Sequence, residues 1–186
     1  MEKLKTQLII LCGIPGSGKS TWIKNHLASF PGYTKVVSRD DIRFSIVKEN
    51  EEYFSHETEV YNKFIEEIKD GIEHCDTTIA DATHINEASR TKLLKALGNS
   101  LKDVKIIAVV LKPSLQVALA QNAQREGRKL VPRGQVRRMW YQFTKPILDE
   151  GFDEIWTYKN FSYEIEERSE MNYGTYLADI RSSSRT

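Results

Sequence analysis

Gly13-Ile14-Pro15-Gly16-Ser17-Gly18-Lys19-Ser20 follows the apolar run Leu8 to Cys12 and leads into Thr21-Trp22-Ile23, which has helical character. The string satisfies G-x-x-x-x-G-K-[ST] at every fixed position. That pattern commits the chain to a strand, a phosphate-cradling loop and a helix in direct succession. The glycines let backbone N–H groups turn inward around phosphate oxygens. Lys19 puts a point charge beside the β- and γ-phosphates, and Ser20 offers a hydroxyl to Mg²⁺. Gly13, Pro15, Gly16, Ser17, Gly18, Lys19, Ser20 and Thr21 are therefore the candidate nucleoside-triphosphate-binding residues, with Ser20 the candidate metal ligand.

The rest of the chain agrees with that commitment. Short β-rich runs at Gln7 to Cys12, Lys35 to Val37, Thr77 to Ala80, Val104 to Leu111 and Glu154 to Tyr158 alternate with helical stretches. This is the pattern of parallel strands joined by crossover helices, an α/β class. Residues 56 to 74 carry Val60, Phe64, Ile68 and Ile72 at steps of four. Residues 132 to 149 carry Val136, Met139, Trp140, Phe143 and Ile147 at steps of three and four, so each stretch predicts a helix with one apolar stripe facing the core. With 186 residues, 40% of them hydrophobic, the chain suits one domain with a proper core. No apolar run approaches the roughly 18 residues of a membrane span, and the mixed-charge start is a poor secretory signal, so the cytoplasm is the default expectation.

A net charge of +1 gives no overall field for attracting polyanions, so any nucleic-acid contact must be local. Cys12 and Cys75 make neither a disulfide framework nor a metal cluster and are read as reduced and structural. His26, His56, His74 and His84 lack metal-ligand spacing and are read as surface or capping residues.

After the second strand comes Ser38-Arg39-Asp40-Asp41-Ile42-Arg43. Ser38 and Asp41 fit a capping box that opens a helix, which accounts for Asp41. Asp40 and Arg43, three apart, are then neighbours on one face near the positively polarised helix start. An ordinary surface ion pair would look the same, but this pair follows the carboxyl end of a strand, where ligands gather in such sheets. There Asp40 suits a general base and Arg43 a grip on an anionic acceptor. Asp81 ends the third strand and resembles a Walker-B-type acid, placed either to hold the Mg²⁺ shell or to orient Arg43. Asn86 is read as the cap of the next helix.

From Arg125 to Arg138, Arg125, Arg128, Lys129, Arg133, Arg137 and Arg138 face a single acid, Glu126. Arg133 or Arg137 suits a solvated helix face. Arg125 and Arg128, beside Gly127, suit a lid that supplies charge to a transferring phosphoryl group.

Taken together, these motifs resemble the phage-type polynucleotide 5′-kinase family. The blocks are Gly13 to Trp22, Arg39-Asp-Asp-Ile-Arg43, Asp81-Ala-Thr-His-Ile-Asn86, Arg128-Lys-Leu-Val-Pro132 and Glu150-Gly-Phe-Asp-Glu-Ile155, covering about 7 to 158. The resemblance implies an adenylate-kinase-like P-loop fold with a five-stranded parallel sheet of order 2-3-1-4-5 and a small helical lid. It implies ATP and Mg²⁺ as cofactors and the 5′-hydroxyl ends of DNA or RNA as acceptor. In roles, it implies Asp40 as base, Arg43 as ligand of the acceptor's 3′-phosphate with Arg39 on the substrate side, Asp81 as supporting acid, and Arg125 or Arg128 as the lid arginine. A P-loop kinase of a small-molecule hydroxyl is the alternative expectation. The kinase domain is expected over 1 to 160, with no room for a phosphatase domain. Residues 161 to 186 are expected to form an extension, either a packed helix with a polar tail or a partner-binding arm.

Overall fold

The computed structural model describes residues 6–158 and 165–170. Its sheet contains β1 (Gln7–Cys12), β2 (Thr34–Ser38), β3 (Thr77–Asp81), β4 (Lys105–Leu111), β5 (Glu154–Tyr158) and β6 (Glu167–Glu170). Their order is β2-β3-β1-β4-β5-β6, with the first five parallel, so the expected 2-3-1-4-5 arrangement is present. Helices α1 (Lys19–His26), α2 (Arg39–Ile46), α3 (Glu57–His74), α4 (Glu87–Leu97), α5 (Leu115–Ala123) and α6 (Arg133–Gln142) provide the connections. None of the described helices is long and apolar enough to cross a membrane.

β1 lies at the centre with Leu8, Ile9, Ile10, Leu11 and Cys12 all fully buried. A parallel strand covered on both faces reads as a continuous apolar run, which is why it stood out in the sequence. Its alternate residues feed two cores. Leu8, Ile10 and Cys12 pack with Phe64 and Ile68 of α3 and with Leu93 and Leu97 of α4. Ile9 and Leu11 pack with Trp22 of α1, Ile79, Val109 and Tyr158. The free thiol of Cys12 is pushed up to about 12 by burial, so it stays protonated and acts as a small hydrophobe.

α3 buries Val60, Phe64, Ile68 and Ile72, the stripe that its spacing predicted. It approaches β3 so closely that a Cβ on Gly71 would sit 2.7 Å from the hydroxyl oxygen of Thr78.

Two expectations need correction. The second predicted helix stops at Gln142, and 143 to 147 run on before a short turn at Leu148–Glu150. Pro146 is the reason: it removes a backbone donor and disfavours helical geometry in the residue before it. Phe143 still reaches the core, whereas Ile147 is exposed.

Among the described residues the sheet also has six strands, not five, because β6 pairs antiparallel with β5. Glu167-Arg-Ser-Glu170 carries no apolar signal, as suits an edge strand. It is tied down by charge: Arg168 bonds Glu154 at 2.8 Å, and Lys145 bonds Glu167 at 2.6 Å. The described part of the extension is thus strand; the rest of the expected helix and tail lies outside the described residues.

Candidate active site

The carboxyl ends of β1, β2 and β3 bring three candidate segments to one edge of the sheet. Ser38 and Asp81 are register partners, and the phosphate loop leaves the adjoining end of β1. The glycines of that loop are dictated by geometry. Gly16 and Gly18 have φ of +76° and +94°, and a Cβ on Gly16 would lie 2.2 Å from the carbonyl oxygen of Ala118. Gly18 also occupies the N-cap of α1, where no side chain among the described residues caps the helix. The first-turn N–H groups are therefore left for an anion. Ser17 is buried, its hydroxyl without a hydrogen-bond partner among the described residues. A glycine cradle in the left-handed region, an uncapped helix start and an orphan hydroxyl fit a bound polyphosphate.

Lys19 donates from Nζ to the carbonyls of Gly13 at 2.9 Å and Ile14 at 3.2 Å. Burial pulls its ammonium below the ordinary lysine value, with Asp81 opposing, Arg125 adding to the fall and Asp40 opposing. Asp81 is raised by burial, lowered by Lys19, and raised again by Asp40 and Asp41. Asp40 and Arg125 thus each bear through their charge on both Lys19 and Asp81. Ser20 and Asp81 suit Mg²⁺, which takes one or two protein oxygens and completes its shell from phosphate and water.

At the end of β2, the Ser38 hydroxyl accepts from the Asp41 N–H at 3.2 Å and caps α2. Asp40 stands in the first turn with its side chain 59% exposed. Its Oδ1 accepts from Arg43 at 2.7 Å and from the Tyr53 hydroxyl at 3.1 Å, and no hydrogen bond among the described residues occupies Oδ2. Burial and the Asp40 carboxylate push the Tyr53 phenol up, which keeps it a donor.

Arg43 is only 5% exposed. It donates to Asp40 and Tyr53 through one nitrogen and to both oxygens of Glu57, at 3.1 and 2.9 Å, through another. Arg39 also pairs with Glu57. Asp81 is not among Arg43's hydrogen-bond partners in the described residues; the side chains that engage Arg43 are Asp40, Tyr53 and Glu57. Asn86 caps α4 as expected, accepting from Ser89 at 2.9 Å.

The lid arginines separate. Arg125 acts electrostatically on Lys19 and Asp81. Arg128 instead donates to the Val47 carbonyl at 3.1 Å and lies over the rings of Phe44 and Tyr53, so it joins the lid to the end of α2. Asn122, 1% exposed, closes the intervening loop by bonding the Val131 carbonyl at 2.7 Å and the Val131 N–H at 3.3 Å. Arg133, Arg137 and Arg138 are exposed on α6.

Tyr53, Glu57 and Asn122 escape the sequence reading, and His84 departs from it. Glu57 opens α3, where an acid is already explained by the helix dipole, and nothing local reveals its partners fourteen and eighteen positions away. His84, read as a surface or capping residue, is 5% exposed beneath the phosphate loop and donates from Nδ1 to the Leu11 carbonyl at 3.0 Å.

This sheet order, with a glycine-cradled loop at its central strand, defines a P-loop nucleotide-binding α/β domain. The chain belongs to the AAA domain family, whose model matches residues 8–146. It is similar to L-seryl-tRNA(Sec) kinase of Methanococcus maripaludis, 27% identical over 170 residues. That alignment takes in 89% of this chain but 62% of the relative, so the chain spans less than two thirds of that protein's length. A chain of the Pnkp1/Rnl/Hen1 RNA repair complex superposes with a TM-score of 0.62 at 17% identity, over 75% of this chain and 44% of its own. A kinase candidate from Chloroflexus aurantiacus also gives 0.62 at 12% identity, over 98% of this chain and 97% of its own. The structural likenesses establish the fold.

Proposed function

We propose that the protein is an ATP-dependent polynucleotide kinase that transfers the γ-phosphate to the 5′-hydroxyl end of DNA or RNA. The observation that carries this reading is Asp40. Its carboxylate is steered through Oδ1 by Arg43 and Tyr53 and leaves Oδ2 for an incoming alcohol, and its charge bears on the phosphate-loop lysine. In the reaction, Asp40 takes the alcohol's proton as the new O–P bond forms and the bond from γ-phosphorus to the departing ADP oxygen breaks. Lys19 and the loop N–H groups hold the β- and γ-phosphate oxygens, and Arg125 adds charge from the lid. Mg²⁺ held by Ser20 and Asp81 would neutralise charge on the phosphates.

The guanidinium groups of Arg39, Arg43 and Arg128 cluster around Glu57, Tyr53 and Phe44 close to Asp40, a concentration of positive charge that supports an anionic acceptor. The kinase names borne by the seryl-tRNA relative and the Chloroflexus neighbour support phosphoryl transfer, and the RNA-repair setting of the Pnkp1 complex supports a nucleic-acid acceptor. A second reading, phosphorylation of a small neutral alcohol, draws on how fully Glu57, Asp40 and Tyr53 already engage Arg43.

Labelled ATP offered with a 5′-hydroxyl oligonucleotide, and separately with nucleosides and sugars, separates the two. The expected result is transfer to the oligonucleotide; transfer to the small alcohols alone overturns the polynucleotide reading. Asp40→Asn is expected to abolish turnover by about 100-fold or more while ATP binding, followed by nucleotide titration, persists. Normal turnover in that variant removes Asp40 as the base.

A further inference from the structure

Residues 47 to 56, between α2 and α3, place two aromatic rings beside the acid that the proposed transfer uses. Tyr53 is engaged on each side: its hydroxyl is on Asp40, and its ring lies 4.7 Å from the guanidinium carbon of Arg43 and 5.6 Å from that of Arg128. Phe54 stands at right angles to it, with centroids 4.8 Å apart and an interplanar angle of 89°. The Arg43 guanidinium carbon is 5.4 Å from the Phe54 ring, yet Phe54 is 64% exposed.

A single exposed phenylalanine is unremarkable by itself. This one differs in its backing and its position. A tyrosine edge and a buried cation hold it, so little side-chain freedom is lost when something lies on it. The same tyrosine connects it to the carboxylate of Asp40. Arg128 and Lys129 of the lid lie over Phe44, whose ring meets the other side of the pair at Tyr53, adding positive charge nearby. A pre-set aromatic face bordered by cations is the arrangement that receives the bases of single-stranded nucleic acid, because every base has a flat face and stacking tolerates any sequence.

We propose that Phe54 stacks the first base of the acceptor strand and thereby sets the terminal sugar's hydroxyl against Oδ2 of Asp40. The inference rests on the polynucleotide reading and narrows it: the site prefers single-stranded ends that carry a base over abasic ends and free sugar alcohols.

The test compares two single-stranded 5′-hydroxyl oligonucleotides that differ only in having a normal or an abasic first residue. For the unaltered protein, KM is expected to be lower for the base-bearing strand by roughly 5- to 150-fold, the range of base–aromatic stacking. Phe54→Ala should bring that ratio close to one, and Phe54→Trp should keep it. Thermal unfolding of both variants checks that the fold is unchanged, as expected for so exposed a side chain. A ratio that survives Phe54→Ala overturns the stacking role and leaves the polynucleotide reading standing, since transfer is still observed. Absence of transfer to either oligonucleotide, alongside transfer to a small alcohol, overturns both.

Discussion

His84 shows how far a single residue's environment can depart from its local sequence. Burial pulls its imidazole down to about 4, with the Leu11 carbonyl opposing that shift, whereas an unfolded chain would titrate it near 6.5. The unfolded state therefore takes up a proton first as pH falls. Its contribution to stability is complete above about pH 6.5 and is lost on the way down to about 4, a span worth about 3 kcal/mol. Unfolding free energies between pH 7.5 and 4.5 should accordingly fall less steeply for His84→Asn. Asparagine can occupy the left-handed backbone region needed at φ +37° and can donate to the same carbonyl. Equal slopes for variant and parent would show that His84 does not govern the acid limb. The Asp40–Arg43 pair is a different residue-scale case. Its three-residue spacing was visible in the sequence, but an ordinary surface pair, worth about 0.3–0.5 kcal/mol, would have had that spacing too. What distinguishes it is Glu57 behind Arg43 and Tyr53 beside Asp40, and both arrive from outside α2.

At the scale of elements, local chemistry fixes where α2 begins. Ser38 ends β2 and caps α2, so a single hydroxyl determines the orientation of the first turn, which carries Asp40. Ser38→Ala should lower stability by about 1 kcal/mol, and Ser38→Gly by a few tenths, in denaturant titrations. If both variants lose the same amount, the cap is not what stabilises this turn. Starts of this kind were legible because a cap and its helix are adjacent in the chain; the Asn86 cap of α4 was legible for the same reason. The end of α6 was misjudged because the apolar spacing continues past Gln142 while Pro146 interrupts the backbone that would have to follow it. β6 was invisible for a different reason. Its four residues are held by cross-strand charge and edge pairing, so there was no hydrophobic period to read.

For the molecule as a whole, one buried tie joins elements that are far apart in the chain. Arg90 of α4 is fully buried and bonds Glu150 at 2.6 and 2.8 Å, and it also donates to the carbonyls of Thr144 and His84. It thus links α4, the segment after α6 and the turn beneath the phosphate loop. Arg90→Ala leaves a buried carboxylate uncompensated and should cost about 3–5 kcal/mol, lowering the melting temperature by roughly 6–20 °C. Replacing both partners with apolar residues of similar volume should recover much of that loss in calorimetry. A double variant as unstable as the single one would mean that lost packing, not stranded charge, sets the penalty. The amino-acid order alone determined the phosphate loop, the positions of the five parallel strands, the α3 stripe and the helix caps. Each depends on backbone geometry or on residues within a few positions of one another, so neighbours in the chain are neighbours in space. Tertiary structure alone decided that Arg43 answers to Glu57, that Arg128 docks on Val47, Phe44 and Tyr53, that His84 is buried, and that a charged segment adds an edge strand to the sheet. Those outcomes depend on surfaces that meet only after the strands have paired, and no local period or spacing encodes them.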